Sequence, residues 1–179
     1  MKVRAVLESD WDSILRIQAE VYHDGVLEEL EVLKSKSIVS PTSCFVCETL
    51  EGDIAGYLLS HPWDCSTPPK LFEPLTSAKG RDQFFIHDMA VSARVQGKGV
   101  GRLLIKQVLT LTEKLGMKKI NLVAVQGADS YWARLGFVAL MNDNIRATYG
   151  NDAVLMQRLV FANNPKYTQS YNEQDRADN

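Results

Sequence analysis

Cysteine is scarce in this sequence. Three residues in 179, unevenly spaced, cannot supply a disulfide framework. Cys44-Phe-Val-Cys47 has the spacing of half a metal site, but no second pair follows it. The run Ser43 to Glu48 also reads as a strand, where residues three apart face opposite ways. These are expected to be buried strand cysteines in a reducing cytosol, and no metal is expected. Long apolar runs are missing too. No segment approaches the roughly 20 residues of a membrane span, and "MKVRAVLESDW" has no signal-peptide core. Neither sign of charge dominates: the net charge is −2, which gives no general attraction to nucleic acid or an anionic membrane. Internal repeats and low-complexity tracts are absent. What remains is ordinary globular material, 45% hydrophobic and 23% charged, enough for one core. The expected compartment is the cytoplasm.

Read along the chain, Val3 to Val6 is a short strand. Ser9-Asp10 then offers capping oxygens ahead of Trp11, Ile14, Leu15, Ile17 and Val21 at helical spacing. A second helix is expected over Val26 to Ile38, with Leu27, Leu30, Leu33 and Ile38 inward, ending at Pro41. Cys44–Glu48 and Ile54–Leu59 form a hairpin about "LEGD". His61 to about Asp82 is a proline-bearing loop of the kind that binds ligands or moves. Gln83 to Val91 is a strand. Leu103, Leu104, Val108, Leu111 and Leu115 stripe a helix that stops at Gly116. The remaining elements are a strand over Ile120 to Val125, a short helix over Ala128 to Leu135, and strands from Gly136-Phe137 and over Val154 to Phe161. The expectation is one domain over 1–161 with a polar, flexible tail over 162–179.

The junction "HDMAVSARVQGKGVGRLL" (His87 to Leu104) joins a strand to a helix through Gly97, Gly99 and Gly101. Such a junction is an anion site: first-turn amides point outward, and the helix dipole favours negative charge. A tight turn alone would need one glycine. A dinucleotide GxGxxG fails because its third glycine falls on Arg102, and no Lys-Ser/Thr follows for a Walker loop. Arg94-Val95-Gln96-Gly97-Lys98-Gly99 instead resembles the Q/R-x-x-G-x-G/A signature of the GNAT acetyltransferases. "MAV" (Met89 to Val91), "VGRLLIKQVL" and "ADSYWARLGF" (Ala128 to Phe137) resemble that family's fourth strand, following helix and late block.

The resemblance implies an α/β (α+β) fold, one GNAT-like domain with a mixed, mostly antiparallel sheet of about 6–7 strands flanked by about 4 helices. It implies an N-acetyltransferase in which a primary amine attacks acetyl-CoA directly, or an acyl-CoA-binding sensor that lost the chemistry. The amides of Gln96, Gly97, Lys98, Gly99, Val100, Gly101 and Arg102 would hold the pyrophosphate. Met89, Ala90 and Val91 would offer main-chain groups to pantetheine, as a sheet edge accepts a strand. The partners are then acetyl-CoA and an amine, without nucleic acid or membrane; monomer and homodimer both stay open.

Strand alternation places Phe85, His87 and Met89 on one face and Ile86 and Asp88 on the other. In the resembling family the former face lines the acceptor cleft. Aralkylamine acetyltransferases carry a functional histidine at the position of His87, whereas Phe85 stands where the family more often has glutamate. His87 is the candidate base, with a structural histidine as the alternative; Asp88 is expected to be a buried hydrogen-bonding residue. The family's acid tyrosine aligns with Trp132, a poor proton donor, so Tyr131 beside it is the candidate acid, with another group or water as alternatives. His61 and Trp63, with Phe85, are candidate substrate contacts, and Asp64 stands ready to attract an ammonium.

Overall fold

The computed structural model describes residues 1–22, 24–65 and 67–160. The expected tail at 162–179 and the end of the last strand at Phe161 lie outside these residues. Seven strands form a single sheet: β1 (Lys2–Ala5), β2 (Phe45–Glu48), β3 (Ile54–Pro62), β4 (Gln83–Val91), β5 (Lys119–Ala124), β6 (Val138–Ala139) and β7 (Val154–Leu159). Their order is β1-β2-β3-β4-β5-β7-β6. Every neighbouring pair is antiparallel except β4–β5. The helices are α1 (Trp11–Val21), α2 (Leu30–Val39), α3 (Val100–Lys114), α4 (Asp129–Arg134) and α5 (Arg146–Tyr149). Among the described residues no helix is long and apolar enough to cross a membrane.

Two cores sandwich the sheet. Leu104, Ile105 and Val108 of α3 and Trp132 of α4 pack with Phe84, Ile86 and Ile120 on one face. Ile14 and Ile17 of α1 and Leu33 of α2 pack with Val46, Tyr57 and Leu59 on the other. Cys44 and Cys47 are buried in different cores, as residues three apart on a strand must be. Burial pushes the Cys44 thiol up to about 12, so it is inert.

Helical stripes follow the pattern but are shifted. On α3 the inward set is Val100, Leu104, Ile105, Val108 and Thr112, while Leu103 and Leu115 face outward. Thr112 tolerates burial by donating its hydroxyl within the helix to Val108 O and Leu109 O. The second helix starts at Leu30, not Val26, after a separate 3₁₀ turn at Asp24–Val26. It exposes Ile38 and fully buries Lys36. An apolar side chain has been traded for a buried ammonium, a choice that costs several kcal/mol unless the charge is compensated. That compensation comes from the site.

Two departures on the central strands matter most. β3 runs on to Pro62, so His61 belongs to the sheet and not to the loop. On β4, Asp88 faces Leu59 and Ile86 faces Ser60, so His87 is an extra residue with no opposite number: a β-bulge.

Candidate functional site

The bulge resets the alternation. Ile86, Met89 and Val91 pack on the α3 face, while Ala90 joins the core beneath α1 and α2. His87 and Asp88, consecutive in sequence, both turn towards α1 and α2, where His87 meets Glu28 and Asp88 meets Tyr22 and Tyr57. The expected grouping of His87 with Met89, and of Asp88 with Ile86, is therefore wrong. A one-residue insertion flips every side chain beyond it.

The same strand parts from its neighbour. β4 pairs with β5 only from Gln83 to Ile86, although its pairing with β3 continues to Val91. Main-chain groups between His87 and Val91 thus face a gap in mid-sheet, and His87 to Met89 and Val91 stay partly exposed although the His87 side chain is 1% exposed. At the upper end of this gap stands α3. Gly97 and Gly99 take positive φ of 78° and 77°, and a Cβ on either would meet open space. These two glycines are needed for their backbone. Gly101 answers to a different need: a Cβ there would strike Tyr131 Oη and lie 3.8 Å from Met89 Cε. The first turn bends its own amides inward at Gln96 and Lys98, which donate to Ala93 O and Val95 O at 3.4 and 3.2 Å. Those two amides leave the expected set of donors. Val100 and Gly101, in the first turn of α3, keep amides that point out of the helix end. Lys98 and Arg102 are exposed around it. The ensemble is an open, positively biased cradle for an anion.

Behind the gap, on the α1/α2 side, lies a cavity of about 60 Å³ whose polar lining includes Tyr22, Glu28, His87, Asp88 and Tyr149. Glu28 is the hub. Its main chain is held by Gln18, which accepts from Glu28 N at 2.9 Å and donates to Glu28 O at 3.0 Å. Its Oε2 lies 2.7 Å from His87 Nε2, and its Oε1 accepts from Phe72 N at 2.8 Å. Burial pushes the Glu28 carboxyl up, but His87, Lys36 and the Phe72 amide outweigh this and hold it below its usual value. In the neutral ring, an ionised Glu28 takes the proton side of His87 Nε2, and Nδ1 then carries the lone pair. That atom is buried and has no partner among the described residues. Asp88 has its carboxyl raised by burial, opposed by hydroxyls of Tyr22 and Tyr57, each 2.7 Å from one of its oxygens. Tyr22 Oη is also 3.1 Å from Met89 O at the gap. Lys36, its ammonium lowered by burial, faces both carboxylates and donates to Glu73 O at 3.2 Å.

The loop after β3 adds Leu71 to the wall of this cavity. Phe72 sits at φ 64°, a strain of about 1–3 kcal/mol for a bulky residue. A hydrogen bond to a charged group contributes about 1.5–3 kcal/mol, so Glu28 alone offsets the strain. Ser35 Oγ accepts from Leu75 N at 2.8 Å, and the Tyr149 hydroxyl donates to Pro69 O.

The sequence-predicted substrate contacts assemble elsewhere. His61 is fully buried, its ring 6.1 Å from those of His87 and Phe85 and 5.7 Å from Trp63. Burial, then the neighbouring His87, lowers it to about 3, so it stays neutral. Trp63 and Phe85 line a separate cavity of about 240 Å³ along with a row of amides in which Gln157 bonds Asn121 and Asn121 bonds Gln83. Asp64 closes its own loop, accepting from Arg81 N and Gln83 N at 2.6 and 2.8 Å, away from His87. On the other face Trp132 packs edge-on against Phe137 in the core, ring centroids 5.3 Å apart, while Tyr131 reaches the start of α3. Sequence reasoning missed Tyr22, Glu28, Lys36 and Tyr149. A glutamate and a lysine among helical apolar residues read as surface, and the only local signal was Lys36 falling on the inward stripe.

The model of the acetyltransferase (GNAT) family matches residues 11–137. No curated relative matches the chain in sequence. Among solved structures, the loading GNATL domain of CurA from Lyngbya majuscula superimposes with a TM-score of 0.72 at 13% identity, covering 89% of this chain and 97% of that one. The GphF GNAT-like decarboxylase in complex with isobutyryl-CoA gives 0.71 at 15% identity, covering 90% and 100%. The ribosomal-protein-S18-alanine N-acetyltransferase from Escherichia coli gives 0.65 at 15% identity, covering 92% and 96%.

Proposed function

The chain belongs to the GNAT acetyltransferase family, and on that premise we propose that it is an N-acetyltransferase that moves the acetyl group of acetyl-CoA to a primary amine by direct attack. One observation carries this: β4 parts from β5 beyond Ile86, between the start of α3 and a cavity lined by Glu28, Asp88 and His87, whose Nδ1 has no partner among the described residues. The similar GphF structure, bound to a CoA ester, supports the cofactor assignment. Gly97, Gly99, Val100 and Gly101 hold the pyrophosphate, Lys98 and Arg102 add charge, and the free edge of β4 from Met89 to Val91 pairs with pantetheine.

Bound acetyl-CoA supplies the thioester carbonyl carbon. His87 Nδ1 takes the proton of the incoming ammonium, and Glu28 stabilises the charge that the ring acquires. The amine nitrogen then bonds the carbonyl carbon, and the carbon–sulfur bond breaks. Tyr131, beside Gly101 and Met89, donates the proton that the departing sulfur needs and is reprotonated by the second proton that the nitrogen sheds, while the proton on His87 passes to solvent. Trp132, in the core, takes no part. Calorimetry with acetyl-CoA, followed by thiol release across an amine panel, tests the reading. Binding with thiol release is expected. Binding without release for any amine leaves an acyl-CoA sensor, and absence of binding removes both.

A further inference from the structure

Resting on that transferase reading, we propose that the acceptor is a small primary amine without a carboxylate, bound as its ammonium ion behind the β4–β5 gap. Charge is the first argument. Glu28 is ionised, and Asp88 serves two tyrosine hydroxyls as their acceptor, yet Lys36 is the single side-chain ammonium or guanidinium that the two face among the described residues. Glu28 and Asp88 both line the cavity, whereas Lys36 lies outside its lining and the His87 ring is the one basic group in it among the described residues, so the wall offers acceptors to a ligand cation. A further anion buried beside these two carboxyl groups is expensive, so the cavity discriminates by sign.

The walls are the second argument. Val26, Leu71, Val123 and Val125 are apolar, and no lysine or arginine lines the cavity among the described residues. Both lining hydroxyls are engaged, Tyr22 at Asp88 and Tyr149 at Pro69. A carboxylate on the substrate would therefore be buried beside Glu28 and Asp88 with no donor to meet it. Size is the third. The cavity measures about 60 Å³. One water needs roughly 10–15 Å³ by that measure, so the space suits about four or five non-hydrogen atoms. The loop held by Glu28 and Tyr149 places Leu71 in the wall and narrows that side, which opposes an extended peptide.

The test compares propylamine, alanine and a tripeptide with a free N-terminus as acceptors for the intact protein and acetyl-CoA. Propylamine is expected to exceed the other two in kcat/KM by about a hundredfold or more, the scale of an uncompensated buried charge. Alanine or the tripeptide acetylated as well as propylamine overturns the inference while leaving the transferase reading intact. If acetyl-CoA binds but no amine reacts, the transferase reading fails and saturation-transfer NMR on the CoA complex decides. Transfer to propylammonium and none to alanine upholds the pocket assignment; any other pattern overturns it.

Discussion

The glycine turn at α3 and the carboxylate-lined cavity lie on either side of one gap but are built in opposite ways. The cradle is local: a strand end, a turn with two left-handed glycines and a helix start, all within His87 to Arg102. The cavity is assembled from α1, the segment before α2, the bulge in β4, the end of β5, the long loop and α5. A local site depends on backbone conformation and tolerates change elsewhere. A dispersed site depends on buried charges held by one another, and its hub is a single carboxylate. Damage to the first should show in cofactor affinity, and damage to the second in turnover and pH response.

The largest expected effect falls on the cradle. Gly99→Glu forces a side chain into φ 77° and sets a negative charge at the helix start. Acetyl-CoA affinity measured by calorimetry should fall by about a hundredfold or more. An unchanged Kd would sink the cradle assignment. His87→Gln tests the other region: kcat should fall by about 10²–10³, with acetyl-CoA affinity held within about twofold. Equal losses in both would show that the two regions are not separable. Tyr131→Phe straddles them, since the hydroxyl lies beside Gly101; kcat should drop by about tenfold, with a smaller loss for acceptors assayed with a thioester of lower thiol pKa.

The smallest effect is on stability. The folded Glu28 carboxyl is held below its ordinary 4.5, so its contribution is present above that pH and is lost as pH falls through the folded value. Asp88, raised in the fold, acts in the opposite direction and is common to both proteins compared. Wild type should therefore lose thermal stability on acidification below about pH 4.5 more steeply than Glu28→Gln. Parallel curves would mean that Glu28 is not the charged hub.

Much of this molecule was legible because it is written locally. The span of β4 was expected at its observed bounds, and the glycines after it marked a left-handed turn into α3. The bulge was not legible, because an extra residue exists only relative to a partner strand, and nothing in "FFIHDMAV" says that Leu59 and Ser60 will face Asp88 and Ile86. That single register step moved Asp88 beside His87 and sent Met89 to the other face. The loop behaved likewise. His61, Trp63 and Asp64 looked like one contact set, yet the fold gives them a buried ring, a second cavity and a loop closure.

By itself, then, the sequence determined the order of the strands and of α1 to α4, but not α5, together with the glycine turn ahead of α3 and a histidine on the strand before it. Periodicity, glycine chemistry and helix-end electrostatics act over a few residues and need no distant partner. Tertiary structure alone decided which nitrogen of that histidine is left unpaired, because the deciding atom belongs to Glu28, and which of two adjacent aromatics reaches the gap, because Trp132 found Phe137 and left Tyr131 outward. Buried charges are defined by what surrounds them, and those surroundings come together only when the chain folds.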